Sequence, residues 1–210
     1  MKGAFVTFEG GDGAGKSTQA RRLAVTLRAK GRTVTLTREP GGSPWAERLR
    51  AALLSEHGAE LSPAEQALLF AAARADHVDT LIAPALAAGH VVICDRFADS
   101  TEAYQGAAGV SAARLATLGA LVVGDTVPDL TIVLDCPADI GHVRTARRGG
   151  ADPFDRAETQ IRERRRQAFL AIAAREPGRC AVVDATQPAD IVADRIWRIA
   201  SERLALLQAA

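Results

Sequence analysis

Five short runs rich in β-branched and aromatic residues recur along the chain, with longer helical patterns between them: Phe5-Val6-Thr7-Phe8, Val34-Thr35-Leu36-Thr37, Val91-Val92-Ile93-Cys94, Leu130-Thr131-Ile132-Val133-Leu134 and Ala181-Val182-Val183. Runs with so little polar alternation are the kind a parallel sheet buries on both faces. The segments between them carry helix signals. Ser62, Pro63 and Glu65 read as cap, first-turn proline and capping-box acid of a helix running toward Ala88, with Gly89 as its stop. Beyond Pro188, the repeat of Val192, Ile196 and Ile199 at i, i+4 and i+7 marks an amphipathic helix. The expectation is an α/β fold, a five-stranded parallel sheet flanked by helices on both faces, with ligands at the carboxyl ends of the strands. At 210 residues it should form a single domain, 1–210, whose one loose segment is the basic, glycine-rich stretch from Arg147 to Pro153.

Composition narrows the function classes. With 48% hydrophobic and 24% charged residues the chain is balanced like a globular protein, and a net charge of +1 leaves no bulk attraction to DNA or a membrane surface. Apolar runs such as Ala67 to Ala73 stop far short of the roughly 18 residues a bilayer span needs. The apolar start before Glu9 is too short for a signal-peptide core, so the chain reads as cytoplasmic, with no nucleic-acid or membrane partner. Cys94, Cys136 and Cys180 sit in or beside the apolar runs and read as small buried hydrophobes, and His57, His77, His90 and His142 show no zinc-ligand spacing. There is no Asn, and only three of the 26 basic residues are Lys.

One of those three lies in a motif. Directly after the first run come Gly10-Gly11-Asp12-Gly13-Ala14-Gly15-Lys16-Ser17-Thr18, a match to G-x-x-x-x-G-K-S/T. Its four glycines let successive amide hydrogens turn inward as an anion nest, and the helix that follows adds its positive end. Lys16 then reaches the β- and γ-phosphates of ATP, while the Ser17 hydroxyl is placed for magnesium. A Ras-type GTPase reads guanine through N-K-x-D, which a chain without Asn cannot contain, and a motor ATPase needs a longer chain. A small-molecule kinase remains, and it requires an acceptor pocket and a way to exclude water.

Candidates for both are present. Asp95 and Arg96 end the third run, suited to a magnesium shell and an acceptor phosphate, or to a plain strand-end ion pair. Arg38, in Arg38-Glu39-Pro40-Gly41-Gly42, is either a phosphate clamp or a solvated turn residue. Arg144, Arg147, Arg148 and Arg156 flank the glycine-rich segment in the manner of a lid over polyphosphate. Arg162, Arg164, Arg165 and Arg166 read instead as a solvated helix face. Phe70, by residue type alone, reads as core, though its i, i+4 spacing puts it on the same helix face as Arg74.

Taken together, the motifs resemble those of the bacterial thymidylate kinase family, over essentially the whole chain and in the family's order. The resemblance rests on Phe8-Glu9-Gly10 through Thr18, Thr37-Arg38-Glu39-Pro40-Gly41-Gly42, Leu69-Phe70-Ala71-Ala72-Ala73-Arg74-Ala75-Asp76-His77, Asp95-Arg96-Phe97 with Ser100-Thr101, Ala103-Tyr104-Gln105-Gly106, Pro128-Asp129-Leu130-Thr131 and Asp184-Ala185-Thr186-Gln187-Pro188. It implies a P-loop NTPase fold with a short lid, about 144–156, and transfer of the γ-phosphate of ATP to dTMP, giving dTDP and ADP in dTTP biosynthesis. It further implies that Arg38 and Arg96 hold the dTMP phosphate near Ser100, that Phe70 stacks on thymine, that Arg74 and Gln105 address the base edge, and that Asp12 and Tyr104 address the deoxyribose. Asp95 joins Ser17 around Mg2+; Gly10 through Thr18, with Ala14 among them, cradle ATP, whose adenine Arg144, Ala185 and Gln187 frame. Lys16, Asp12 and Arg96 are the implied catalytic groups. Because no Arg stands between Gly10 and Lys16, the chain looks like the variant that takes its catalytic arginine from the lid, here Arg147, Arg148 or Arg156. Phe97 departs from the more usual Tyr. Family members are generally homodimers, and the same is expected of this chain.

Overall fold

The computed structural model describes residues 3–147 and 158–204. Its elements run β1 (Ala4–Glu9), α1 (Lys16–Ala29), β2 (Val34–Arg38), α2 (Pro44–Leu53), α3 (Glu56–Glu60), α4 (Pro63–His77), α5 (Ala83–Ala87), β3 (Val91–Asp95), α6 (Ala98–Ala107), α7 (Ala112–Val123), β4 (Leu130–Asp135), α8 (Ala138–Arg147), α9 (Thr159–Arg175), β5 (Cys180–Asp184) and α10 (Ala189–Arg203). The strands form one parallel sheet in the order β2-β3-β1-β4-β5. All five sequence-predicted strands are present. The three inner ones are buried along nearly their whole length, whereas β2 and β5, each paired on one side only, keep exposed positions.

Alternation along β1 divides the core. Val6 and Phe8 face α1 and α10, where Leu23, Leu27, Val192 and Ile196 close over them; Phe5 faces the opposite layer with Val78, Ile82 and Phe97. Val133, on that second side, packs with Phe169 and Ile172 of α9. The repeat at 192, 196 and 199 holds, with Val192 and Ile196 buried and Ile199 packed at the margin.

The helix expected to run from Pro63 toward Ala88 is interrupted. Its capping box forms, with Ser62 and Glu65 each satisfying the other's backbone N–H, and Gly89 ends the path at φ 81°. In between, Val78–Ile82 adopt a π-helical turn. Pro84 has no N–H to give to the carbonyl four residues earlier and its ring crowds that carbonyl, so the wider turn absorbs the misfit.

Each strand ends in a charged residue at the same edge: Glu9, Arg38, Asp95, Asp135 and Asp184. Because the strands are parallel, those ends converge. Parallel pairing aligns Arg38 with Asp95 and Asp135 with Asp184. β1, at the centre, delivers the glycine-rich loop between them.

Candidate active site

The loop from Gly10 to Gly15 turns over the end of β1 and opens directly into α1 at Lys16. Gly13 has φ 79°, and a Cβ there would overlap the carbonyl of Gly141 in α8, so only glycine lets the loop lie this close to its neighbour. Lys16 is buried, and its Nζ donates to the carbonyls of Gly10 (2.9 Å) and Gly11 (2.7 Å). Burial, helped by the charge of Arg96, lowers its pKa to about 8, against the pull of Asp12, Asp95 and Glu9. The Ser17 hydroxyl donates to the Asp95 carboxylate, which brings two hard oxygen ligands together at the start of α1. Thr18 is exposed and Ala14 is buried.

Arg96 follows β3 with φ 72°, an uncommon conformation for a side-chain-bearing residue, and its N–H donates to Phe8 (2.9 Å). That turn aims the guanidinium back over the loop. It pairs with Asp12 and donates to Ser100 Oγ and Tyr104 OH at 3.0 Å each. Burial works against the charge, yet Tyr104, Asp12, Asp95 and Glu9 more than offset it and raise the arginine's pKa. Asp12 shows the converse: burial pushes its carboxyl up, but Arg96, Lys16 and the Tyr104 hydroxyl hold it below its ordinary value.

A cavity of about 250 Å³ opens beside Lys16 and Ser17, with Arg38, Phe70, Arg74, Arg96, Ser100, Tyr104 and Gln105 among its walls. The acceptor candidates therefore meet in one place. Phe70 is a half-buried wall residue, not the core residue that its side-chain type suggests, and it lines the cavity together with Arg74. Arg38 is about half exposed and pairs with Glu47 at 3.0 Å, a contact weak enough for it to exchange for an anion. Arg74 is buried and fixed, donating through Nε to Glu39 (2.8 Å) and through its terminal nitrogens to Thr101 and the Phe97 carbonyl. Gln105 is buried beside Gln66. Phe97, where the family more usually has Tyr, stands edge-on to Phe5 at 5.0 Å and is almost wholly buried, so no hydroxyl needs a partner there.

On the donor side, Arg144 Nη1 donates to the Ala185 carbonyl at 2.8 Å, which joins two of the expected adenine-framing positions. Gln187 sits in the adjoining turn, held to Asp184 at 3.1 Å. Arg147 is exposed at the end of α8. Arg148 and Arg156, and most of the expected lid, lie outside the described residues.

Three features escaped sequence reasoning. The α9 arginines do not form a solvated face: Arg162 is buried, Arg165 lies 4.3 Å from the Tyr104 ring, and Arg166 pairs with Asp135 at 2.6 Å, leaving Arg164 as the exposed member. The cause is the dense carboxylate and phenol cluster that β4 and α6 present to that side of α9. Second, Glu9 caps the start of α6, accepting from the N–H groups of Phe97 (2.7 Å) and Ser100 (3.3 Å) and from the Ser100 hydroxyl (2.6 Å). Burial and nearby Asp99 push its pKa up to about 8. Third, Glu39, His77 and Cys94 cluster beneath the cavity, with ligand-type atoms within 4.8 Å of one another. Burial keeps the Cys94 thiol well above its usual pKa, and it donates to the Arg96 carbonyl at 3.0 Å, so this group holds itself by hydrogen bonds. Residues remote in sequence build all three, and no local spacing announces them.

A parallel sheet with a P-loop at its central strand, a buried lysine at the loop's end and a polar cavity beside it define a P-loop nucleotide kinase. The thymidylate kinase family model matches residues 8–196. The chain belongs to the thymidylate kinase family, ATP-dependent phosphotransferases that convert dTMP to dTDP. It is 51% identical to the thymidylate kinase of Caulobacter vibrioides over 206 residues, 98% of this chain and 99% of that one. To the thymidylate kinase of Rhodopseudomonas palustris strain TIE-1 it is 52% identical over 215 residues, covering 100% and 93%. The crystal structure of thymidylate kinase from Ehrlichia chaffeensis superposes with a TM-score of 0.77 at 34% identity, covering 95% of this chain and 98% of that one.

Proposed function

We propose that this chain transfers the γ-phosphate of ATP to dTMP at the cavity beside Lys16, releasing dTDP and ADP for dTTP biosynthesis. The observation that carries the reading is the meeting of the P-loop lysine with a cavity whose walls include the cations Arg38 and Arg96 and the aromatic face of Phe70. In this reading the loop amides and Lys16 hold the donor phosphates, Arg144 with the Ala185 to Gln187 turn frames adenine, and Arg38 and Arg96 hold the acceptor phosphate beside Ser100. Phe70 stacks on thymine, Arg74 and Gln105 meet its polar edge, and Asp12 with Tyr104 meets the sugar. The dTMP phosphate is already ionised, so the residues have to align it and hold charge, with no proton to abstract.

The oxygen pair of Ser17 and Asp95 fits a hard divalent cation. Ser17 and Asp95 would hold Mg2+ there, and the ion would supply positive charge against the donor phosphates. The lid, about 144–156, brings one of Arg147, Arg148 and Arg156 to the transferring group. Coupled ADP release against a panel of nucleoside monophosphates tests the acceptor: dTMP should be used best, dUMP less well, dCMP and purine monophosphates poorly. A preference for dCMP, UMP or GMP would refute the assignment.

A second copy of the chain is the partner we propose for the face between α4 and α7. Leu68, 56% exposed, lines a groove there with Ala64, Ala113 and Leu118, and α7 also carries Leu121, 79% exposed. Wild-type protein should sediment as a dimer at micromolar concentration and Leu68→Asp as a monomer; a monomeric wild type would overturn the proposal. Among the described residues no helix is long and apolar enough to cross a membrane.

A further inference from the structure

We infer that acceptor selectivity is set by a buried chain, Thr37–His77–Glu39–Arg74, in which Glu39 and His77 are positioning residues for the base-edge arginine. The inference rests on the reading of Arg74 given above, and it says what makes that arginine selective.

Arg74 has five N–H donors. Nε goes to Glu39 Oε2 at 2.8 Å, one terminal nitrogen to the Phe97 carbonyl at 2.9 Å, and both terminal nitrogens to Thr101 Oγ1 at 3.2 Å. One hydrogen on Nη1 is thereby left for the cavity that Arg74 lines. Its direction depends on how firmly the other bonds hold the guanidinium plane.

Glu39 supplies the charged one of those bonds, and Glu39 is itself fixed from behind. Its second oxygen, Oε1, faces His77 Nδ1 at 3.0 Å, and His77 Nε2 faces the Thr37 hydroxyl at 2.8 Å. A carboxylate can only accept, so Nδ1 carries a proton and points it at Glu39, while Nε2 shares a hydrogen bond with the Thr37 hydroxyl. His77 is completely buried; Glu39 and Arg74 are 5% and 4% exposed. Gly42 makes room for this arrangement, because a Cβ there would overlap both the His77 ring and Thr37 Oγ1. The second glycine of Arg38-Glu39-Pro40-Gly41-Gly42 is thus explained by the ring it leaves space for.

Rigidity is what converts such a hydrogen bond into discrimination. Thymine offers a carbonyl where cytosine offers an amino group. A fixed donor facing that amino group stays unpaired in a buried site, whereas a loose arginine can turn away and lose little.

The test compares kcat/KM for dTMP and dCMP in the full-length enzyme, with Tm recorded for each variant. Glu39→Gln and Thr37→Val should each lower the dTMP-to-dCMP ratio, the first by about tenfold or more, as expected for losing a charged hydrogen bond. The KM for ATP should stay within about twofold, because the chain contacts no P-loop residue. Thr37→Ser, which restores the hydroxyl, should restore the ratio; a purely structural role for Thr37 would not make selectivity follow the hydroxyl. If Glu39→Gln does not fold, the Thr37 pair decides. An unchanged ratio in both Glu39→Gln and Thr37→Val, with a collapsed ratio in Arg74→Ala, would overturn the inference and leave the reading of Arg74 standing. An unchanged ratio in Arg74→Ala would overturn both.

Discussion

Lys16→Ala should reduce kcat by a thousandfold or more, on the scale of removing a charge from the transferring phosphoryl group, while the protein remains folded. Lys16 is buried at the end of the P-loop, its ammonium tethered to two loop carbonyls and flanked by Arg96 and Asp12. Alanine removes the charge and leaves in place the apolar core built on Val6, Phe8, Leu23 and Leu27. Lys16→Met, which keeps the length, should be as inactive and at least as stable as the wild type at pH 7. The sign follows from the pKa. Folding lowers it to about 8, so the folded chain binds fewer protons there than the unfolded one, and the lysine opposes folding below pH 8. That penalty is relieved as the pH rises from 8 toward the ordinary lysine value. The same value predicts that kcat/KM for ATP falls above about pH 8, where the free enzyme loses the ammonium. At saturating ATP, kcat should hold to higher pH because bound phosphates favour the charged form. Stopped assays across pH 6.5 to 9.5, roughly a unit or more on each side of that pKa, would show it. Near-normal turnover in Lys16→Ala would remove the P-loop from the mechanism.

Arg96→Ala should lower kcat/KM for dTMP by roughly a thousandfold, the upper part of the range for deleting one partner of a buried charge cluster. The KM for ATP should rise as well but by less, because Arg96 also meets Asp12 and the Gly10 carbonyl in the P-loop. Arg96 is the hub of the polar cluster beside the cavity: it meets Asp12, Ser100, Tyr104 and the Gly10 carbonyl at once, from a backbone conformation that places its side chain over the loop. Its loss strips the cation from Asp12 and leaves that carboxylate beside Tyr104 with a raised pKa. Stability should fall as well, by about 3 kcal/mol in urea denaturation, as for breaking a buried ion pair from one side. Arg96→Lys should recover stability better than activity, because an ammonium cannot match a phosphate with two parallel donors. A KM for dTMP within threefold of wild type in Arg96→Ala would show that the acceptor phosphate is held elsewhere.

The parts of this protein written in local sequence are those whose physics is local. A strand buried on both faces has to be apolar along its length, so Val91 to Cys94 and Leu130 to Leu134 identify themselves. The P-loop needs glycines where the backbone takes left-handed angles, together with one lysine and one hydroxyl, and that pattern survives without any knowledge of the fold. The capping box at Ser62 is a matter of three residues. Even the family is legible, because its motifs are short and ordered.

What the chain does with Glu9, Glu39, His77 and the arginines of α9 was decided by the tertiary structure alone. Glu9 caps a helix whose start lies 88 residues away, Arg74 takes its carboxylate from 35 residues back, and Arg165 reaches the Tyr104 ring only after α9 docks on α6. A charged residue looks the same in sequence whether water or a buried partner will solvate it, and only packing determines which; Phe70 is ambiguous for the same reason, since an apolar side chain suits a core and a cavity wall equally. Five strands, their order of appearance and the phosphate loop were therefore determined by the sequence by itself. The convergence of strand ends that makes those charges into a site was not, because it depends on parallel neighbours being brought together across the whole length of the chain.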